Sequence, residues 1–140
     1  MKTVDVVVGI IFRDNKFLVE RRKTDEKIDP GIICLPGGHV ELNENKEDAF
    51  KREMKEELNI EVKKSVFLKK DFWIASNGER QNVYYYVVTS YEGDPTSKTA
   101  KEIIWVENTN ELDILDDRNA IEKIRMKRIK DIINETSIRR

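Results

Sequence analysis

Gly38-His39-Val40-Glu41-Leu42-Asn43-Glu44 and, after seven intervening residues, Arg52-Glu53-Met54-Lys55-Glu56-Glu57-Leu58-Asn59-Ile60 form the stretch on which the reading of this chain turns. The pattern predicts a helix from Asn43 to Leu58, capped by Asn43 or Asn45, with Glu47 and Asp48 near its electropositive start. Asn59 stands where the helix should stop in a left-handed conformation, which asparagine tolerates better than most residues. At about 100° per residue, Glu53, Glu56 and Glu57 fall within an arc of roughly 100°, and Phe50, Met54 and Leu58 lie on the adjacent arc. The helix thus carries an apolar face for a core and an acidic edge beside it. Ala49 falls between Glu53 and Glu56 on the wheel, and its small side chain lets other groups approach that edge.

Carboxylates this close repel and raise each other's pKa. A hard divalent cation relieves the repulsion, and Mg²⁺ favours carboxylates together with substrate phosphates. The competing reading is a solvated acidic helix surface. The preceding loop weighs against it, because Gly37 and Gly38 permit a tight turn whose carbonyls can face the cluster. Arg52 can hold a carboxylate of its own helix in a charge-assisted bond and so fix its rotamer.

Outward from the helix, the chain reads mostly as strands. Val4–Phe12 is rich in β-branched residues, Arg13 to Lys16 is a turn, and Phe17–Arg21 resumes as the other arm of a hairpin. A polar loop runs from Lys23 to Gly31 and a short strand from Ile32 to Leu35, after which Pro36-Gly37-Gly38 breaks any regular element. Strands at Glu61–Asp71 and Asn82–Tyr91 flank the turn signal Ser76-Asn77-Gly78-Glu79. Gly93-Asp94-Pro95 is another turn, and Glu102–Val106 a last short strand. A closing helix spans Asp117 to Thr136, with Asp116 or Asp117 as its N-cap and Ile121, Ile124, Ile132 and Ile133 on one face, Ile129 near its edge. Early and late helices separated by hairpins predict an α/β fold, a mixed β-sheet sandwiched between helices, in a single domain over residues 1–140.

Composition narrows the partners. Twenty-six basic and 27 acidic residues leave a net charge of -1, so no net positive field holds a nucleic acid polymer. The locally basic stretch from Lys123 to Arg140 reads as a solvated helix face. One cysteine, Cys34, excludes an intrachain disulfide and a cysteine metal cluster, and suits a reducing compartment. With no signal-peptide pattern and no run of apolar residues long enough to span a bilayer, a cytoplasmic protein is expected.

The stretch quoted at the outset resembles the Nudix box, the signature of the Nudix hydrolases. Gly38 matches its first glycine and Glu44 its first glutamate; Arg52-Glu53, Met54, Glu56-Glu57 and Ile60 follow at the family's spacing. Asn59 is the one departure, standing where the family usually has glycine, and Leu35-Pro36-Gly37-Gly38 is similar to the family's lead-in. The resemblance implies the Nudix α/β/α sandwich and hydrolysis of a phosphoanhydride bond of a small nucleotide. It implies that Glu53, Glu56 and Glu57, with the Gly37 carbonyl, ligate Mg²⁺, for which Mn²⁺ can substitute, and that Glu44 and Arg52 support them. Members often use another acid from a later loop as ligand or general base; Glu102 is the candidate here, against the reading of an edge-strand solubilising charge. For a nucleoside triphosphate the family's usual products are the monophosphate and pyrophosphate.

Substrate contacts are less sharply marked. Arg22 is a candidate for a terminal phosphate; Arg21 and Arg22 should point oppositely, leaving one of them to face a pocket. Asp116 and Asp117 lie where enzymes of this family that remove oxidised purine triphosphates place base-recognising residues, against the reading of a helix cap. Most of the aromatic residues, Tyr84 and Tyr86 on one sheet face and Tyr85 on the other, read as core or sheet surface, His39 as a packing or loop hydrogen-bonding residue, and Cys34 as buried filler. Three functions compete: a nucleoside triphosphate pyrophosphohydrolase, acting on an oxidised or non-canonical substrate among others; a hydrolase of another nucleoside diphosphate derivative such as a nucleotide sugar; and a catalytically silent nucleotide-binding module. A homodimer is a family-level expectation.

Overall fold

Side chains alternate sides along a strand, so the apolar run Val6-Val7-Val8 needs a core on both faces. The computed structural model describes residues 2–98 and 102–138, with the side chains of 129–138 lying outside that description. In it, β1 (Thr3–Ile10) sends Val6, Val8 and Ile10 into one core and Val7 into the other. This central strand pairs antiparallel with β5 (Gly37–His39) and parallel with β7 (Arg80–Glu92). β7 in turn pairs antiparallel with β6 (Glu61–Ile74), giving a mixed sheet of order β5-β1-β7-β6.

Two expectations change here. The predicted strand Val4–Phe12 is two strands: β1 stops at Ile10, and β2 (Phe12–Arg13) makes the hairpin with β3 (Lys16–Arg21) in a second sheet. Hydrophobicity is continuous through Ile10 and Ile11 because both are fully buried, one in each core, and so the pattern cannot mark the change of sheet. Pro36-Gly37-Gly38, read as a break, continues into β5. A Cβ at Gly37 would collide with the Val7 carbonyl, so glycine there serves close strand approach. The second sheet is completed by β4 (Ile33–Cys34) and β8 (Glu102–Val106), both antiparallel to β3.

Helix α1 (Lys46–Leu58) covers one face of the first sheet with Ala49, Phe50, Met54 and Leu58, packed on Val7, Ile11, Leu18 and Tyr86. Asn45 is the cap, its side chain accepting from the Asp48 amide at 2.8 Å, while Asn43 takes a left-handed φ of 66° in the preceding loop. Asn59 ends the helix at φ 56°, and its amide donates to the Lys55 carbonyl. The amides of Thr96 and Lys98 then satisfy the terminal carbonyls of Leu58 and Glu57. Asn59→Gly should therefore stabilise the fold by roughly a few tenths of a kcal/mol, read as a higher denaturant midpoint, since the left-handed strain that glycine removes outweighs the unfolded-state entropy it adds.

Helix α2 (Leu115–Ile138) lies on the opposite face, where Ala120, Ile121 and Ile124 join Val6, Val8, Val83 and Tyr85. Tyr84 and Tyr86 sit in the α1 core and Tyr85 in the α2 core, as alternation requires. The result is a mixed sheet between two helices, an α/β/α sandwich. Neither Asp116 nor Asp117 is an N-cap, because the helix begins at Leu115 and places both in its first turn. The side chains of Ile129, Ile132 and Ile133, whose facing was predicted, lie outside the description.

Candidate active site

The acidic edge of α1, predicted from the helical period, forms one wall of a cavity of about 400 Å³. Glu53, Glu56 and Glu57 line it with Gly37, Gly38 and Arg52. Arg52 organises this wall. Its guanidinium donates from Nε and Nη2 to the two oxygens of Glu44 at 2.8 and 2.9 Å, from Nη1 to Glu53 at 2.8 Å and Glu56 at 3.1 Å, and from Nη2 to the His39 carbonyl at 3.0 Å. The bidentate bond from Arg52, with the Glu41 amide at 3.0 Å, holds the Glu44 carboxyl down to about 2. The same partners, Glu44 first, hold the Arg52 proton more tightly than usual. Glu44 and Arg52 thus form a permanently charged strut between the β5–α1 loop and the helix.

Glu53 is only 7% exposed, and desolvation raises its pKa, with Glu57 and Glu56 adding repulsion against the pull of Arg52. A Cβ on Gly38 would stand inside the space of the Glu53 carboxylate. The motif's first glycine therefore makes room for that carboxylate. The donor set is hard oxygen throughout, which suits Mg²⁺. Among the described residues, however, no three acidic, histidine or cysteine side chains converge on one cation-sized point. Arg52 engages one oxygen of each of Glu53 and Glu56, Oε1 of the first and Oε2 of the second, and the other oxygen of each carboxylate lies outside these bonds.

The same cavity is also lined by the apolar side chains of Val6, Val8, Leu35 and Val83 and by Trp73, Asp116 and Asp117. Asp117 is buried, and each of its oxygens accepts from a protein donor: Tyr85 Oη at 2.6 Å and the Leu35 amide at 3.1 Å. Burial still pushes its carboxyl up to about 6. Asp116 lines the pocket beside it, raised by desolvation and by Asp71. Trp73 offers an indole Nε1–H with no hydrogen-bond partner among the described residues. His39, which lines the cavity, donates from Nε2 to the Glu79 carboxylate at 2.6 Å.

The remaining predicted residues divide. Arg22 lines the cavity, its Nε donating to the Ile28 carbonyl at 3.0 Å and its Nη2 to Glu26 at 3.5 Å. Arg21 points the other way and pairs with Glu102 at 3.0 Å, and Glu102 is not part of the cavity wall. The register sets this: Glu102 lies directly across from Arg21 in the β3–β8 ladder, an opposite-charge cross-strand pair.

Sequence reading missed Glu20. It is 3% exposed in β3, lines the cavity, and its Oε2 has no partner among the described residues. Desolvation, then repulsion from Glu57, pushes its carboxyl up to about 8. Its signal was alternation: Glu20 shares a strand face with Leu18, which is buried in the α1 core. The folded state thus binds a proton at Glu20 that the unfolded chain has released above about 4.5, so this residue costs stability as pH rises from about 4.5 to 8. Without metal, Glu20→Gln should be more stable than wild type at pH 8, by on the order of a few kcal/mol, and so melt higher in scanning calorimetry, with the gap closing below pH 4.5.

Comparison with known proteins now bears on this geometry. The NUDIX domain family model matches residues 2–128. The 8-oxo-dGTP diphosphatase of Buchnera aphidicola is 29% identical over 109 residues, 76% of this chain and 78% of that protein. The CTP pyrophosphohydrolase of Escherichia coli is 40% identical over 62 residues, 44% of this chain and 45% of the relative. Among solved structures, a MutT NUDIX hydrolase from Burkholderia pseudomallei superposes with a TM-score of 0.75 at 26% identity, covering 87% of this chain and 98% of the other. No helix among the described residues is long and apolar enough to cross a membrane. With the motif, the sandwich and the family model agreeing over most of its length, the chain belongs to the NUDIX family and is a Nudix-type pyrophosphohydrolase of a nucleoside phosphate substrate.

Proposed function

We propose that the substrate is a nucleoside triphosphate, cleaved to the monophosphate and pyrophosphate with Mg²⁺, or Mn²⁺ in its place, held by Glu53, Glu56, Glu57 and the Gly37 carbonyl. The observation that carries this reading is one cavity lined both by the acidic edge of α1 and by apolar side chains with Trp73, Asp116 and Asp117 among them. Phosphates fit the first lining and a base the second. A bound divalent cation supplies charge neutralisation on phosphate oxygens and a water of lowered pKa.

The chain's own residues do the rest. Arg52 and Glu44 hold the loop and helix in register, and Arg52 steadies Glu53 and Glu56 through one oxygen each, leaving the second oxygen of each for the cation. Arg22 releases its bond to Glu26 and pairs with a terminal phosphate. The proton of the attacking water passes to a carboxylate of the α1 wall, since Glu102 is committed to Arg21 away from the cavity. Trp73 offers its ring to the base, and Asp116 accepts from an exocyclic amine or, when protonated, donates to an oxo group. Asp117 holds Tyr85 and the Leu35 strand in place around them.

The names of the relatives, 8-oxo-dGTP diphosphatase and CTP pyrophosphohydrolase, place oxidised purine and pyrimidine triphosphates first in the trial. Purified protein with Mg²⁺ is incubated with normal and oxidised nucleoside triphosphates, nucleotide sugars and dinucleoside polyphosphates, and the products are resolved by chromatography. Pyrophosphate release from triphosphates at kcat/KM well above that for the other classes is expected; preferential cleavage of a nucleotide sugar would overturn the substrate assignment.

A further inference from the structure

Glu20 follows the fully buried apolar run Phe17, Leu18 and Val19 of β3. Across the ladder it faces Cys34 of β4 and Ile103 of β8, neither of which brings a compensating positive charge. An aliphatic residue would satisfy such a position at no electrostatic cost. The carboxyl instead sits 97% buried, one oxygen closed off from solvent and without a hydrogen bond among the described residues.

Strand alternation gives its direction. Leu18 packs in the core formed by Phe50, Met54 and Leu58 of α1, and Glu20, two residues on, projects from the same face of β3. It therefore meets the cavity from a second wall, while Glu53, Glu56 and Glu57 meet it from the helix. Glu57 and Glu53 both act on it repulsively, and the cation that opposes them, Arg22, is engaged with Ile28 and Glu26. Carboxylates that repel one another across two walls of one cavity, one of them buried with an oxygen that lacks a hydrogen bond among the described residues, are relieved by a small cation drawn between them. Mg²⁺ also requires donors spread around a near-octahedral shell, which one helical edge supplies from one side only.

We infer that Glu20 donates a carboxylate oxygen to the divalent cation held by the acidic edge of α1, so that the ion is gripped between β3 and the helix. This ligand lies before the Nudix box begins, and the inference rests on the reading that the α1 carboxylates bind the metal. It also accounts for the retention of a buried acid that weakens the metal-free protein.

The test is Mn²⁺ binding without nucleotide, read from the electron paramagnetic resonance signal of free Mn²⁺, on wild type, Glu20→Gln and Glu53→Gln. Glutamine keeps the size and hydrogen-bonding capacity of the neutral acid and lacks only the carboxylate. Glu20→Leu, suited to a buried strand, is run beside it, and circular dichroism confirms the fold of each. At least a tenfold rise in Kd is expected in both Glu20 variants. Unchanged Mn²⁺ affinity in them with a weakened Glu53→Gln would overturn the role of Glu20 and leave the α1 site standing. Unchanged affinity in all the variants, or no binding by wild type, would remove both.

Discussion

Glu53→Gln lowers kcat/KM for the preferred triphosphate by at least about 10²-fold while leaving the melting temperature within a few degrees of wild type. The two halves of this expectation have separate causes. Glu53 is nearly buried, but its environment already disfavours the charge: desolvation and the neighbouring Glu57 and Glu56 raise its pKa against the single pull of Arg52. The neutral amide is close to isosteric and still accepts from Arg52, so folding loses little. What disappears is a charged oxygen at the point where the β5–α1 loop, the helix and the cavity meet. Steady-state kinetics with Mg²⁺ and calorimetric melting measure both. A variant with wild-type turnover would remove the proposed metal site, and a variant that fails to fold would show that the carboxylate is structural.

Gly38→Ala should give a similar loss of turnover by a different route. The added methyl group would occupy the space of the Glu53 carboxylate. A side-chain terminus can swing away, whereas backbone cannot, so the strain is relieved by displacing Glu53 rather than by unfolding. Displacement also breaks the 2.8 Å bond from Arg52, and Arg52 then stands nearer Glu44 and Glu56 alone. A drop in kcat/KM of at least about 10-fold, with stability reduced by roughly 1 kcal/mol or less, is expected from urea titration and kinetics together. The contrast with Gly37→Ala is diagnostic. There the obstacle is the Val7 carbonyl in the β1–β5 ladder, so that variant should lose stability first.

Both predictions bear on residues whose importance was legible from spacing. The helical period put Glu53, Glu56 and Glu57 on one edge beside an apolar face, and the structure keeps that geometry over the whole of α1. A helix is a local object with a fixed pitch, and its surface follows from sequence position alone. The same holds for the left-handed Asn59, the Ser76–Glu79 turn, the bounds of β8 and the sides taken by Tyr84, Tyr85 and Tyr86. Pairing between distant strands has no such local rule. The change of sheet at Ile11, the strand formed by Gly37–His39 and the Arg21–Glu102 pair depend on which segments meet across the fold.

By itself, the sequence determined the family, the sandwich of helices around a mixed sheet, and which helical edge is acidic, because each rests on local periodicity or on a motif of adjacent residues. Tertiary structure alone decided that Glu20 joins that edge from another strand, that Glu102 does not, that Arg52 currently engages two of the candidate ligands, and that Asp117 braces Tyr85. The physical reason is that desolvation and charge coupling depend on through-space neighbours tens of residues apart in the chain. Their positions are set only when both cores have closed.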